Sequence, residues 1–304
     1  MPRFRHVRSL LPLVALPLAI ALFAAGPLRA AEVELVQLGE QNWRRFVPRG
    51  KEVDAIRGDY VLRNAQIVAV IGNPIAERHA NMTVQDVAGA VIDLTRRDRQ
   101  SDQLSAFYPG AARYPFRQAE VAAGVEEGVS YAALVCRAAA NGRLPEVTLT
   151  YRLAAGEAWL DVETEFHNPH EGPLDVELID AARTDRTFDV GFDESLGLLW
   201  AHDSWWRQAY GLVAEEATIA PIAESMKRRR PFLHYLIAGE NGQAAEEKEQ
   251  AAEEKEQVAG ENRVRLEPGE RFALRRKLFP AADLVALKAI AARLRGHEME
   301  RLLV

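Results

Sequence analysis

The chain of 304 residues holds a single cysteine, so no disulfide within the chain can staple it. Cys136 ends the apolar, strand-like run Tyr131–Cys136 and reads as a small buried residue. A nucleophilic thiol needs a base and electropositive surroundings, and neither is visible beside it. An excess of positive charge is lacking too. The 44 acidic residues outnumber 38 lysines and arginines, giving a net charge of −6, which argues against nucleic acid as a partner. There is no Gly-rich phosphate loop, no Gly-x-Ser-x-Gly elbow and no Cys-x-x-Cys pair. Helical periodicity is scarce before residue 281, which excludes a parallel βαβ architecture.

One long apolar run is present, and it lies at the start. Arg3, Arg5 and Arg8 precede Leu10 to Ala25, broken by Pro12 and Pro17, and the run closes on Gly26-Pro27-Leu28-Arg29-Ala30-Ala31. A basic start, a short apolar core and small residues at the end predict a cleaved secretory signal over 1–30, with a retained anchor as the alternative. The protein is then exported, periplasmic or extracellular, with no stable membrane span after cleavage. Removing residues 1–30 takes away four arginines and no acid, leaving a mature charge of about −10.

What fills the remainder is alternation. Val147, Leu149, Tyr151 and Leu153 point one way and Thr148, Thr150 and Arg152 the other. After Ala154-Ala155-Gly156-Glu157, the residues Val162, Thr164 and Phe166 alternate with Asp161, Glu163 and Glu165. A period of two on both sides of a turn predicts a long antiparallel hairpin with one face buried. Comparable strand-like runs cover Val33–Leu38, Tyr60–Ile71, Ala88–Leu94, Gly128–Arg137, Leu174–Ala181, Leu196–Ala201, Tyr210–Ala214, Phe232–Ile237, Arg263–Leu266 and Phe272–Leu278. Residues 40–58, polar and basic, read as a surface connection. The fold class is all-β: a large antiparallel β-sandwich over 31–280, followed by a C-terminal α-helix within 281–304.

Two segments depart from the β pattern. The heptad Ala-Ala-Glu-Glu-Lys-Glu-Gln occurs twice, at 244–250 and 251–257, inside a charged low-complexity insert at 241–261. Alanines alone are too weak a stripe for a coiled coil, so a solvated excursion is expected. In the last segment Asp283 is placed to cap a helix whose Leu284, Leu287, Ile290, Ala291 and Leu294 share one face. That face either packs on the sandwich or docks a partner.

Gly58-Asp59-Tyr60-Val61-Leu62-Arg63-Asn64, then Ile67–Ile71, then Gly89-Ala90-Val91-Ile92-Asp93-Leu94, resembles the opening of galactose-mutarotase-like β-supersandwich domains of sugar-processing enzymes. The 145–168 hairpin and the turn Leu266-Glu267-Pro268-Gly269-Glu270 are similar to later sheets of that group. The resemblance implies a supersandwich over about residues 32–280. Mutarotases use a His pair and a late carboxylate around the sugar. Those positions have no residue-by-residue match here, so the activity does not carry over.

Chemistry-bearing residues cluster in Leu199 to Gly211, which holds three of the five tryptophans. Trp205, Trp206 and Tyr210 offer aromatic faces, with His202, Asp203 and Arg207 beside them to meet hydroxyls, a mixture suited to carbohydrate. The competing reading makes Trp200 and one of Trp205 or Trp206 core, with the polar residues capping a bend. His79, in Arg78-His79-Ala80-Asn81, is a further ligand candidate. His167-Asn168-Pro169-His170 has two potential zinc ligands but no third, and Pro169 makes a turn the simpler account. Asp161, Glu163 and Glu165 share one polar strand face, as solvated residues do. Lys227-Arg228-Arg229-Arg230 either grips an anion or guards an edge strand.

These observations predict an exported, non-catalytic sandwich that binds carbohydrate or serves as an envelope scaffold. The alternatives are a sugar-active epimerase or lyase using a His–carboxylate pair, and a structural protein docking a partner through its last helix. No cofactor and no metal are implied. The expected partners are a carbohydrate or an envelope protein.

Overall fold

The structure, a computed structural model, describes residues 32–227, 231–237 and 262–297. The segment predicted as a signal, Arg228 to Arg230 and the duplicated heptad lie outside the described residues. Two eight-stranded antiparallel sheets face one another. The first runs in the order β1 (Val33–Gln37), β2 (Tyr60–Asn64), β3 (Ile67–Ile71), β4 (Val91–Arg96), β5 (Leu104–Pro109), β11 (Ile179–Thr184), β16 (Phe232–Leu236), β15 (Thr218–Pro221). The second runs β12 (Asp189–Asp193), β13 (Leu198–Asp203), β14 (Gln208–Ala214), β18 (Arg271–Ala281), β9 (Leu160–His167), β8 (Glu146–Ala154), β7 (Val129–Ala138), β6 (Gln118–Glu126). A two-stranded ribbon pairs β10 (Leu174–Glu177) with β17 (Arg263–Leu266).

The alternating hairpin forms β8 and β9, turning at Gly156, whose φ of 77° suits glycine. Val147, Leu149, Tyr151 and Leu153 are fully buried, and with Leu94, Phe107 and Phe166 they fill the space between the sheets. On the solvent face Asp161 meets Lys277 at 2.6 Å, Glu163 meets Arg275 at 2.7 Å and Glu165 meets Arg271 at 2.5 Å. The three carboxylates are rungs of a cross-strand ionic ladder.

Several runs divide differently from the sequence reading. Tyr60–Ile71 is two strands, because the Asn64 side chain accepts from the backbone N–H of Gln66 and Ile67 and closes a turn without glycine or proline. Leu174–Ala181 splits at buried Leu178, which hands the chain from the ribbon to the first sheet. β5 escaped the pattern because both its faces are covered. Residues 40–58 are more than a connection. With the short helix α1 (Trp43–Phe46), they cover the outer face of the first sheet, and Leu38, Phe46 and Ala55 pack on Val61, Val70 and Ile92.

Helix α3 (Leu284–Leu294), the next after the short α2 (Ala223–Lys227), begins where Asp283 accepts the Ala286 N–H at 2.8 Å and ends before Gly296, at φ 73°. Leu287 and Ala291 pack on Leu198, Val213 and Phe279 on the outer face of the second sheet. That apolar face is therefore used within the chain.

At the centre of the sandwich a salt bridge crosses between the sheets. Arg276 of β18 donates to Asp180 of β11 at 3.0 and 3.3 Å, and both side chains are excluded from solvent. Every other polar group there is answered. Asp180 also accepts from Tyr235 at 2.6 Å and from the Gly110 N–H at 2.8 Å, while Arg276 reaches Thr164 and the Leu274 carbonyl. Arg276→Leu strands a buried carboxylate and is expected to cost about 3–5 kcal/mol in urea unfolding. The double variant with Asp180→Leu should lose much less than the sum of the single changes. A cost below about 1 kcal/mol for Arg276→Leu would contradict this account.

Candidate functional site

The hairpin joining β13 to β14 carries the tryptophan cluster. Asp203 and Gln208 face each other as its last pair, and both are buried. Asp203 accepts the Trp206 N–H at 2.9 Å, and Arg207 takes a φ of 51° to close the turn. A left-handed arginine costs about 1 kcal/mol, so a buried carboxylate must hold the tip in shape. Trp205 is thereby left 85% exposed and Trp206 39%. Trp200, on the strand below, lies across Gly191 and packs in the apolar layer under α3. The structure thus splits the three indoles into one that packs and two that face solvent.

Tyr210 does not belong to this surface. It points inward, stacked on Phe188 with ring centres 5.7 Å apart. Its hydroxyl accepts the Gln103 N–H at 2.8 Å and donates to Asp102 at 3.3 Å. Its position in β14 places it on the same face as Leu212 and Ala214, both in the core. It is a strut between the sheets. Burial pushes its phenol well above the ordinary range. His202 is half-buried, opposite Asp189 of β12.

His79 sits elsewhere, in the loop between β3 and β4 that crosses the outer face of the first sheet. Its Nδ1 accepts the Asp86 N–H at 3.0 Å, so the ring helps to shape the loop. Arg78 anchors the same loop through a buried two-point contact with Asp59, at 2.6 and 3.0 Å. Asn81 closes its tip, accepting from Thr83 and Val84. Cys136 is buried and its thiol is pushed up to about 12 by burial. His167 bonds Glu146 at 2.8 Å and His170 bonds the Leu144 carbonyl at 3.1 Å, so the two rings have separate partners. Among the described residues no cluster of His, Cys, Asp and Glu could hold a metal ion.

The sequence reading missed a polar cleft of about 560 Å³ beside the 79–86 loop. Asn81, Thr83 and Val84 form one wall, and Ser105, Thr184, Asp185, Arg186 and Lys227 the floor and far side. The register of β5 against β11 shifts between Arg183 and Thr184, and this bulge opens the floor. Lys51 bridges Asp185 and Glu52, so the cleft's two carboxylates are already matched. Burial raises the Asp185 carboxyl, but the Lys51 hydrogen bond and the Arg186 N–H outweigh it and hold the group below its ordinary value. Arg183 donates to the Thr83 carbonyl. The Thr184 hydroxyl is buried without a partner among the described residues. Nothing in local sequence announced this cleft, which is assembled from five separate segments.

Cleft and hairpin share one end of the sandwich. Thr184 pairs with Leu104, Gln103 bonds Tyr210, and Asp189 pairs with His202. The residues between Thr184 and Asp189 carry the chain from the cleft to the hairpin. A second, smaller cleft of about 300 Å³ lies beyond the same loop. Its Arg113 is taken by Glu177 at 2.5 Å and its Arg117 by the Phe116 carbonyl at 2.7 Å.

No family model matches the chain, and no curated protein matches it. Solved structures do. A TPR-domain containing protein from Parabacteroides distasonis superposes with a TM-score of 0.50 at 11% identity, over 81% of this chain and 49% of that one. This chain thus spans about half the length of that neighbour. A candidate aldose 1-epimerase from Klebsiella pneumoniae matches at TM-score 0.45 and 8% identity, over 84% and 87% of the two chains. A galactose mutarotase-like protein from Clostridium acetobutylicum gives 0.40 and 9%, over 74% and 96%. At such identities the likeness is one of fold alone.

The shared end of the sandwich also holds unpaid polar burial. Asp93 accepts the Asp54 N–H at 2.7 Å and Asp102 the Leu94 N–H at 2.8 Å, yet one oxygen of each lacks a partner. Burial first, and for Asp102 the neighbouring Asp93 charge second, push both carboxyls well above the ordinary range. In the unfolded chain they ionise near pH 4. Above that pH the folded state holds protons that the unfolded state has released, so these groups make stability fall as pH rises toward their folded values. Asp102→Asn should flatten the decline in unfolding free energy as pH rises above about 4. An unchanged slope would show that Asp102 ionises normally.

Proposed function

We propose that this protein is an exported carbohydrate-binding β-sandwich whose recognition surface is the end bearing the 204–207 hairpin and the adjoining polar cleft. The observation that carries the reading is Trp205, an indole left 85% exposed on a tip that buried Asp203 holds in place. Leaving so large an apolar face in water forgoes burial, and indole faces stack well on the C–H faces of sugar rings. The cleft supplies the complementary chemistry. Asn81, Thr83 and Ser105 offer amide and hydroxyl groups, and Arg186 a guanidinium. The basic, apolar and small-residue pattern of residues 1–30 supports export.

The reading is of a binding module because the cleft lining presents hydrogen-bonding groups to a ligand. Proton transfer by a His–carboxylate pair needs both groups on one substrate atom. The test is a thermal-shift screen of the purified protein against neutral oligosaccharides, uronic acids and glycan fragments. Ligand at a hundred times its dissociation constant stabilises by about 2.7 kcal/mol. Trp205→Ala should abolish the shift while leaving the ligand-free midpoint unchanged. No shift with any saccharide, or a shift that survives both Trp205→Ala and Trp206→Ala, would overturn the proposal.

A further inference from the structure

We infer that β6 is a homodimer interface, pairing with β6 of a second copy across a two-fold axis at Ala122. β6 is the last strand of the second sheet, and among the described residues nothing pairs with its outer edge. Exposed edges are usually guarded by proline, lysine, a bulge or a short strand. β6 has none of these. It runs for nine residues in unbroken register with β7 and contains no proline or lysine.

Its side chains point the same way. Ala119, Val121, Ala123 and Val125 continue the inner apolar face of the sheet, since Ala119 is paired with Cys136 and Val121 with Leu134, both core residues. The first sheet does not reach over them, and Val121 and Val125 are left 59% and 68% exposed. The two acids of the strand are neutralised within the chain, Glu120 by Arg137 at 3.6 Å and Glu126 by Arg152 at 2.8 Å. The edge is therefore apolar on one face and nearly charge-balanced on the other.

The backbone selects the register. The hairpin to β7 turns through Glu127 and Gly128, at φ 49° and 82°, making Glu126 and Val129 its closing hydrogen-bonded pair. Even-numbered residues of β6 then spend their backbone groups on β7, and odd-numbered ones present theirs to the open edge. An antiparallel copy centred on Ala122 sets Ala119 opposite Val125 and Val121 opposite Ala123. Odd residues face odd residues, giving about eight new backbone hydrogen bonds. Glu120 then faces Gly124, and Glu126 faces Gln118, with no like charges opposed. Moving the axis to Ala123 would set Glu120 against Glu126. The occupant that fits this strand over its full length is the strand itself.

The test is sedimentation velocity across a wide concentration range, with two sets of variants. The wild-type protein should form a concentration-dependent dimer. Val121→Lys with Val125→Lys should weaken it at least about tenfold while the thermal midpoint of the monomer holds. At the axis two copies of residue 122 lie about 4.5 Å apart, within disulfide reach. Ala122→Cys should therefore cross-link rapidly on mild oxidation and Ala119→Cys should not, while the native Cys136 stays buried. A protein monomeric at every concentration, a dimer that survives both lysines, or equal cross-linking at positions 119 and 122 would overturn the inference. Should the lysine variant fail to fold, the cysteine pair decides alone.

Discussion

The sandwich is organised around a salt bridge that water does not reach. Arg276 and Asp180 belong to opposite sheets, and each is fully enclosed. Taking two charges out of water costs several kcal/mol per ion, and that cost is offset only where geometry is good and every lone pair is met. Here it is met by Tyr235, Thr164, Gly110 and the Leu274 carbonyl. An apolar core tolerates sliding of one sheet over the other, whereas a two-point guanidinium–carboxylate contact does not. The pair therefore fixes register between sheets that, among the described residues, share no backbone hydrogen bonds.

Two tyrosines extend this control outward. Tyr151 donates to the Gly89 carbonyl at 2.5 Å, holding the second sheet to the start of β4. Tyr210 ties β14 to the segment before β5, and so ties the tryptophan hairpin to the edge of the cleft. Polar satisfaction is complete at the centre and incomplete at that end. Asp93, Asp102, Gln103, Thr184 and Asp203 all keep a buried polar atom without a partner there. Unpartnered groups lower stability, and their gathering beside a cleft is the pattern expected where a fold gives up stability for recognition.

Much of the β architecture was legible because one buried face gives a period of two. The β8–β9 hairpin and α3 could be read directly, from Val147–Leu153 and from Asp283 through Leu294. Strands covered on both faces, such as β5, carry no such signal. The turn at Asn64 hid because a side chain does the work usually done by glycine. At the site, the exposed indoles lay in an unusual local sequence and could be found. Tyr210 could not be separated from them, since the parity of its strand is visible only once Leu212 and Ala214 are known to face inward. The cleft was illegible for a different reason: Asn81, Ser105, Thr184 and Lys227 meet only through the fold.

The most direct test of the central claim is chemical-shift mapping of the indole and guanidinium groups during titration with a binding saccharide. The account predicts that Trp205, Trp206 and Arg186 shift together with one dissociation constant, while Trp200 under α3 stays fixed. Shifts confined to other parts of the surface, or indole shifts without Arg186, would contradict the joining of hairpin and cleft into one recognition surface.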